Sequence, residues 1–482
     1  MLASPTTDDV YTMTLTTSKV QSSIANVSTV ASPILTAPIA PLFIKMSMPI
    51  IFGLMINGLF NFVDAIFISR AVGTYAIGGV SAAFPIQMIM ISLSAMMGSG
   101  MASTISRYLG ANRYEEANQV FNASLLFAAT TGLFLSIVII LFRVEIFDVL
   151  KLPLTLAPYA IEYLTPIATI GIISFCHGTL SEALRSQGLN IQVFKLMASM
   201  ALLNIALDAL FLFVFDWGVP GAAWATAISI TSAFLYALYL LKTNSDRVFI
   251  SRQLFRFNCK IHQEVLVLGL PILLSYMGFA MMLLLVNLTL VHVAGDQAEL
   301  LISAHGILNR TFMLIFLPVL GMMIAFQTFA GFNYGANRHD RVVQVLKVAL
   351  VLSSAYSLFW SLVMIFGSHY LFQLFSQDLS LVLSASGIAS IVFIGFITTG
   401  ISMICPALFQ ALGFAKSAIF LNILHNYILL LPILWFFSKR WGISGVWWSF
   451  PVIDLLCAII IALYTLSFVR SKLPITVLNS TK

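Results

Sequence analysis

Long apolar runs alternate with short polar breaks along most of this chain. A bilayer crossing needs about 20 apolar residues as a helix. Twelve runs meet that length: 42–68, 78–105, 119–142, 156–183, 191–215, 219–241, 264–293, 302–332, 344–370, 382–411, 416–437 and 443–468. Within lipid the backbone must satisfy its own polar groups, so the runs predict helices. No ten-residue alternation of the kind that marks a barrel strand recurs. The pattern predicts an all-α polytopic membrane protein. It divides into a tail (1–41), an N-lobe of six spans (42–241), a connector (242–263), a C-lobe of six spans (264–470) and a second tail (471–482). The first tail is rich in Ser and Thr and lacks the basic start and apolar block of a secretory signal; it is expected to be flexible and cytoplasmic.

The two lobes repeat one another. Gly110-Ala111-Asn112-Arg113 returns as Gly335-Ala336-Asn337-Arg338, and Pro49 is answered by Pro271 at the head of another apolar run. Arg185-Ser186-Gln187-Gly188 is answered by Gln410-Ala411-Leu412-Gly413. Trp217-Gly218, Gly221 and Trp224 are answered by Trp441-Gly442, Gly445 and Trp448. The offset stays near 225 throughout, which argues for duplicated halves. Duplicated membrane halves are a common transporter architecture, with the site at or near their interface.

Composition agrees. Charged residues make up 9 % of the chain and hydrophobic ones 60 %, where soluble domains carry about 25 % charge. The 24 Lys and Arg choose an orientation with both termini in the cytoplasm. Five of them, Arg70, Arg143, Lys151, Lys439 and Arg440, then lie outside, Arg310 lies within a span, and the rest are cytoplasmic. The net charge of +6 follows from that rule and implies no nucleic-acid partner. The four cysteines have no metal-like spacing. His177 and His425 read as satisfied core histidines.

Polar residues inside spans are the informative ones, since a charge at a helix centre costs about 2.5–3.5 kcal/mol. Asp64 shares a helix face with Asn57 and Asn61, and Asp208 shares one with Asn204 a turn earlier. Two such stripes in one lobe are expected to face inward, with Thr226 beside them. A carboxylic acid in a partly hydrated cavity can load and release a proton, and neighbouring amide and hydroxyl oxygens could complete a Na⁺ site at Asp64, Asn204, Asp208 and Thr226. The bland alternative is a hydrogen-bond clamp between helices. Asp454 has no acidic partner in its lobe and reads either as a second titratable site or as a carboxylate reaching a basic neighbour. Glu182 and Arg185 read as an intrahelical pair. Pro49 predicts a bend in the helix that carries Asp64. Met88, Met90, Met96, Met97 and Met101 suit either an adaptable cavity wall or a lipid-facing surface.

These residues resemble the MATE (multidrug and toxic compound extrusion) transporters over nearly all of 42–470. The resemblance lies in Pro49 followed by Phe62-Val63-Asp64, in Leu184-Arg185-Ser186-Gln187-Gly188, in Asn204-Ile205-Ala206-Leu207-Asp208, and in the Gly218 to Thr226 stretch. It implies a V-shaped pair of six-helix lobes and export of drug-like, lipophilic and cationic compounds driven by H⁺ or Na⁺ entry. In the DinF-like branch the residues matching Asp64, Asn204, Asp208 and Thr226 respond to the cation, and helix 1 bends at the residue matching Pro49. The NorM-like branch adds acids on helices 7 and 10. Here helix 7 offers Asn287 and helix 10 only Thr398 and Thr399, which favours the DinF-like branch. The implied protein is an antiporter of the inner membrane, not an enzyme, without a cofactor, acting as a monomer. The alternatives are a Na⁺-coupled exporter and a lipid-linked saccharide flippase. No metalloprotease motif or paired catalytic acids point to an enzyme.

Overall fold

The computed structural model describes residues 33–149, 155–245, 247–251, 257–373 and 378–473; they are almost wholly helical, with no strand among them. The N-lobe contains α1 (Ile39–Ala71), α2 (Thr74–Gly110), α3 (Tyr114–Leu141), α4 in two segments (Ala157–Thr169 and Gly171–Ser186), α5 (Asn190–Phe213) and α6 (Gly218–Asn244). The C-lobe contains α7 (Cys259–Ala294), α8 (Ala298–Gly335), α9 (His339–Phe372) and α10 in two segments (Leu379–Phe396 and Thr399–Leu412). It closes with α11 (415–441) and α12 (443–472).

Two features fix the count of spans. The helical run Ala415–Lys472 covers 58 residues, about 87 Å at 1.5 Å per residue, far more than the roughly 30 Å of a bilayer core. It divides at Gly442, whose φ of 60° and ψ of −136° are not helical and suit a residue without a Cβ. The two segments of α4, by contrast, meet at a 60° bend and make one broken span. Pro166 stands just before that bend. Gly132 of α3 packs on the Gly171 backbone there, where a Cβ would come within 2.6 Å of the carbonyl oxygen.

The repeat is visible in the backbone itself. Asn112 and Asn337 both take positive φ, 59° and 57°, in the two Gly-Ala-Asn-Arg turns. Gly188 and Gly413 match at 82° and 86°, and Gly218 and Gly442 at 62° and 60°. Asparagine enters this region more readily than other side chains, which is why the turns can dispense with a second glycine.

The lobes form a V along α1 and α2 on one side and α7 and α8 on the other. Their closest contacts gather at the end that carries the two Gly-Ala-Asn-Arg turns. A Cβ on Gly110 would overlap the Phe332 carbonyl, and a Cβ on Gly335 would overlap the Arg107 carbonyl, so the contact is reciprocal. Gly100 abuts Val265 and Gly269 abuts Met96 in the same way. Glycine here permits backbones to touch, as small residues do between membrane helices. Gln410 of α10 crosses the junction. Its Nε2 donates to Ser99 Oγ and to the Leu268 carbonyl, each at 2.8 Å, while its own carbonyl accepts from Ser103 Oγ at 2.5 Å. Arg107 of α2 pairs with Glu264 of α7 at 3.1 Å.

Chain segments outside the spans are also tied down. Residues 1–32 of the expected flexible tail lie outside the described residues. A short helical turn, Pro33–Thr36, precedes α1. Asn333 Nδ2 donates to the Ile34 carbonyl at 3.3 Å, and the Arg341 guanidinium donates to the Ile34 and Ala37 carbonyls at 3.2 and 2.7 Å. In the connector, Asn118 and Asn122 of α3 hold residues 247–251 by four hydrogen bonds of 2.8–3.0 Å to its backbone. The methionine expectations were both off the mark: Met90, Met96, Met97 and Met101 are buried among packed helices, because α2 has neighbours on most sides. Glu182 and Arg185 do form the expected intrahelical pair.

The reciprocal glycine contact gives a prediction. Gly335→Leu forces overpacking worth about 1–3 kcal/mol at the junction. It is expected to open that end of the V several-fold more often, seen as a longer spin-label distance between positions 112 and 337. An unchanged distance distribution would show that the junction does not depend on close backbone contact.

Candidate cation site of the N-lobe

Three helices build the site because small and polar residues let them approach. Gly53 of α1 faces Met197 of α5, where a Cβ would come within 2.8 Å of the sulfur. Asn190, at the start of α5, donates from Nδ2 to the Met46 carbonyl of α1 at 3.0 Å. Further along, Phe67 and Phe213 meet edge to face at 5.3 Å. Between these contacts α1 passes through Pro49 as one helix of 33 residues.

The expected inward-facing stripes are brought together. Asp64 is 8 % exposed, Asn204 2 % and Asp208 0 %. Asp64 is near enough for its charge to be felt at Asp208. The Asn204 amide joins α5 to α6. In the orientation that satisfies both neighbours, Nδ2 donates to Asp208 Oδ2 at 3.0 Å, and Oδ1 accepts from Thr226 Oγ1 at 3.3 Å and from the Thr226 backbone N–H at 3.2 Å. Asp64 Oδ1 and Asp208 Oδ1 have no hydrogen-bond partner among the described residues. Buried carboxylate oxygens without donors are costly, and a bound proton or metal cation is what relieves them. No group of three or more His, Cys, Asp or Glu side chains with metal-holding geometry occurs among the described residues. A Na⁺ ion here would have to draw on Asn204 and Thr226 oxygens beside the two carboxylates.

The remaining expected residues fall as follows. Pro49 and Asn57 are half-buried on α1. Asn61 lies on α1 one turn before Asp64, and its side chain is outside the described part. Asp454 is not near this cluster. It lies in the C-lobe and reaches a basic neighbour, His425, whose Nε2 is 2.6 Å from Asp454 Oδ1. The core reading of His425 is thereby corrected: the ring is paired because α11 and α12 pack side by side. Arg310 is exposed on α8.

Tyr163 belongs to the site and was not singled out in the sequence. It sits in the first segment of α4, is 6 % exposed, feels the charges of Asp64 and Asp208, and hydrogen-bonds Gln87 of α2. Its signal is faint: a tyrosine one residue from Glu162 and one turn before Pro166, in a stretch of ordinary apolar character.

Comparison with known proteins gives a consistent picture. The MatE family model matches residues 49–210 and 271–436, the two repeats. The multidrug export protein MepA of Staphylococcus aureus strain N315 is 27 % identical over 431 residues, covering 88 % of this chain and 92 % of MepA. A crystal structure described as MATE in complex with MaL6 superposes with a TM-score of 0.86 at 23 % identity, covering 92 % of this chain and 99 % of that one. A structure described as the outward-facing conformation of a multidrug resistance MATE family transporter gives 0.84 at 24 % identity, over 92 % and 98 % of the two chains.

The single donor on Asp208 makes a testable link. Asn204→Ala removes it and leaves a buried carboxylate unpaired, at a cost of about 1–3 kcal/mol. The unfolding temperature of the purified protein is expected to fall in Asn204→Ala, and to fall no further in the double variant with Asp208→Asn. Strict additivity in that cycle would show that the two side chains do not interact.

Proposed function

The chain belongs to the MatE family, and from that premise we propose that it is a cation-coupled multidrug efflux antiporter of the plasma membrane, with the proton as coupling ion. The observation that carries this reading is the pair of buried carboxylates, Asp64 and Asp208, each with an unpartnered oxygen in the interior of the N-lobe. A water-excluded carboxylate that lacks donors is a place where one proton changes the local charge at little structural cost. The same negative charge suits a lipophilic organic cation, so proton and drug compete for it.

The cycle follows. With the termini cytoplasmic, the joined end of the V is the cytoplasmic end, and the state described opens outward. A proton from outside binds at Asp64 or Asp208. The neutralised acids no longer hold the drug, and α1 can move closer to α5. Pro49 lacks the N–H that would stiffen α1, so the movement is taken up as a bend there. Drug leaves, the lobes rock, and the junction built by Gly110, Gly335, Arg107 and Gln410 separates to release the proton inside and admit the next drug molecule. Alternating access by rocking of two repeats is a general property of such architectures.

Na⁺ coupling is the second reading, favoured by the Asn204 and Thr226 oxygens beside the carboxylates. Proteoliposomes loaded with a fluorescent lipophilic cation separate the two. Efflux is expected with an imposed pH gradient alone and to drop at least tenfold in Asp64→Asn, whose amide keeps the shape of the acid. Efflux with a Na⁺ gradient alone assigns the same residues to a metal ion. Full gradient-driven efflux in Asp64→Asn makes the carboxylate structural. Absence of transport under either gradient points to a lipid-linked saccharide flippase.

A further inference from the structure

By the repeat, α11 and α12 of the C-lobe stand where α5 and α6 stand in the N-lobe, and α7 with Pro271 stands where α1 stands with Pro49. On α11 and α12 lies the C-lobe's own ionisable pair. His425 Nε2 faces Asp454 Oδ1 at 2.6 Å, and His425 Nδ1 faces Asn426 Oδ1 at 2.6 Å. Both partners are acceptors, and an imidazole can donate from both nitrogens only as the imidazolium. The ring therefore holds a proton beyond the neutral form in this state. The arrangement also accommodates its loss. If the Asn426 amide turns over, Nδ2 donates to a bare Nδ1 while Nε2–H still serves Asp454, and no polar atom is orphaned. The side chains of His425 and Asp454 are 28 % and 25 % exposed, so the proton has a way out.

The backbone around the pair is unusual. Leu424–Leu429 forms a π-helical turn, a feature that concentrates at functional sites. The wider turn brings neighbouring residues of α11 onto α7 just beyond Pro271. Tyr427 donates its hydroxyl to the Leu274 carbonyl at 2.9 Å. Ser275 Oγ lies 2.8 Å from Asn422 Oδ1 and 2.9 Å from the Pro271 carbonyl. Gly278 abuts the Asn426 side chain, where a Cβ would come within 2.7 Å of its amide. On the other side, Thr398 at the break of α10 donates to the Asp454 carbonyl at 3.3 Å, and Gly395 makes room for the carboxylate. The titratable groups facing the pair are Cys457 of α12, which feels Asp454, and Tyr427 of α11; α7 and α10 present Ser275 and Thr398, which are neutral. Asp454 is the charge that acts on His425.

We propose that His425 and Asp454 form a second proton-binding site, separate from the N-lobe carboxylates, and that its protonation sets the grip of the α11 π-turn on α7. His425 exchanges one proton with water between imidazolium and imidazole; Asp454 stays ionised and holds the ring. The proposal rests on the proton-antiport reading for its role in transport, but not for the titration itself.

Two measurements test it. In proteoliposomes of full-length protein labelled with ¹⁵N-histidine, solid-state NMR between about pH 5 and 9 is expected to show one doubly protonated ring that loses a proton as pH rises. That signal should vanish in His425→Gln and titrate at least tenfold more easily, at lower pH, in Asp454→Asn. In transport, the protons taken up per tetraphenylphosphonium exported are expected to fall by one in His425→Gln, whose amide keeps a donor toward Asp454. A ring that stays in one state throughout, or a ratio left unchanged, overturns the proposal. Failure of the N-lobe reading looks different: transport survives Asp64→Asn while the ring still titrates.

Discussion

Lipid offers no hydrogen bonds, and that single deficit governs this molecule. Each backbone polar group closes on its own helix, so the spans are helices and breaks occur only where a neighbour covers them. The bend in α4 lies against Gly132 of α3, and the break in α10 is covered by Thr398 on its own Gly395 carbonyl at 2.9 Å. Polar side chains must likewise find protein partners. They collect in two places within the lobes, one around Asn204 and one around His425. The unpartnered oxygens of Asp64 and Asp208 stand out because the surroundings otherwise comply.

The junction between the lobes is built differently from the lobes' interiors. There, backbones touch through glycine, and one amide, Gln410, gathers bonds from α2, α7 and α8, including one of 2.6 Å from Gln327. Contacts of this kind have narrow geometry. They hold well when aligned and vanish when helices shift by a fraction of a turn. A junction that must separate in every cycle is better served by such contacts than by interlocked apolar side chains, whose dispersion attraction declines over a broader range.

Much of the fold was legible in the sequence because hydrophobic length and charge asymmetry are imposed residue by residue. The repeated Gly-Ala-Asn-Arg and Trp-Gly pairs located the turns, since positive φ admits few residue types. The N-lobe stripe was legible because Asn204 and Asp208, and Asn57 and Asp64, lie on single helices at helical spacing. Tyr163 and His425 were not legible as site residues. Each depends on a contact between helices distant in sequence, and in His425 the local register is shifted by a π-turn that no spacing rule anticipates. Asp454 was noticed for its charge, but its partner could not be named without knowing how α11 faces α12.

The first helix has divided allegiance. Its leading turn is fastened to the C-lobe, where Arg341 and Asn333 hold the carbonyls of Ile34 and Ala37. A few residues on, Asn190 and Met197 bind it into the N-lobe. Pro49 lies in that second stretch, beyond both fastenings at its root. When the lobes swing, the helix is pulled at one end by one body and steered along its length by the other, like a tie-rod between two rocking beams. Swing and charge at Asp64 are then a single mechanical coordinate. The short turn ahead of the first span is thus a transmission element, and severing it would leave two lobes free to rock without reference to the ion they carry.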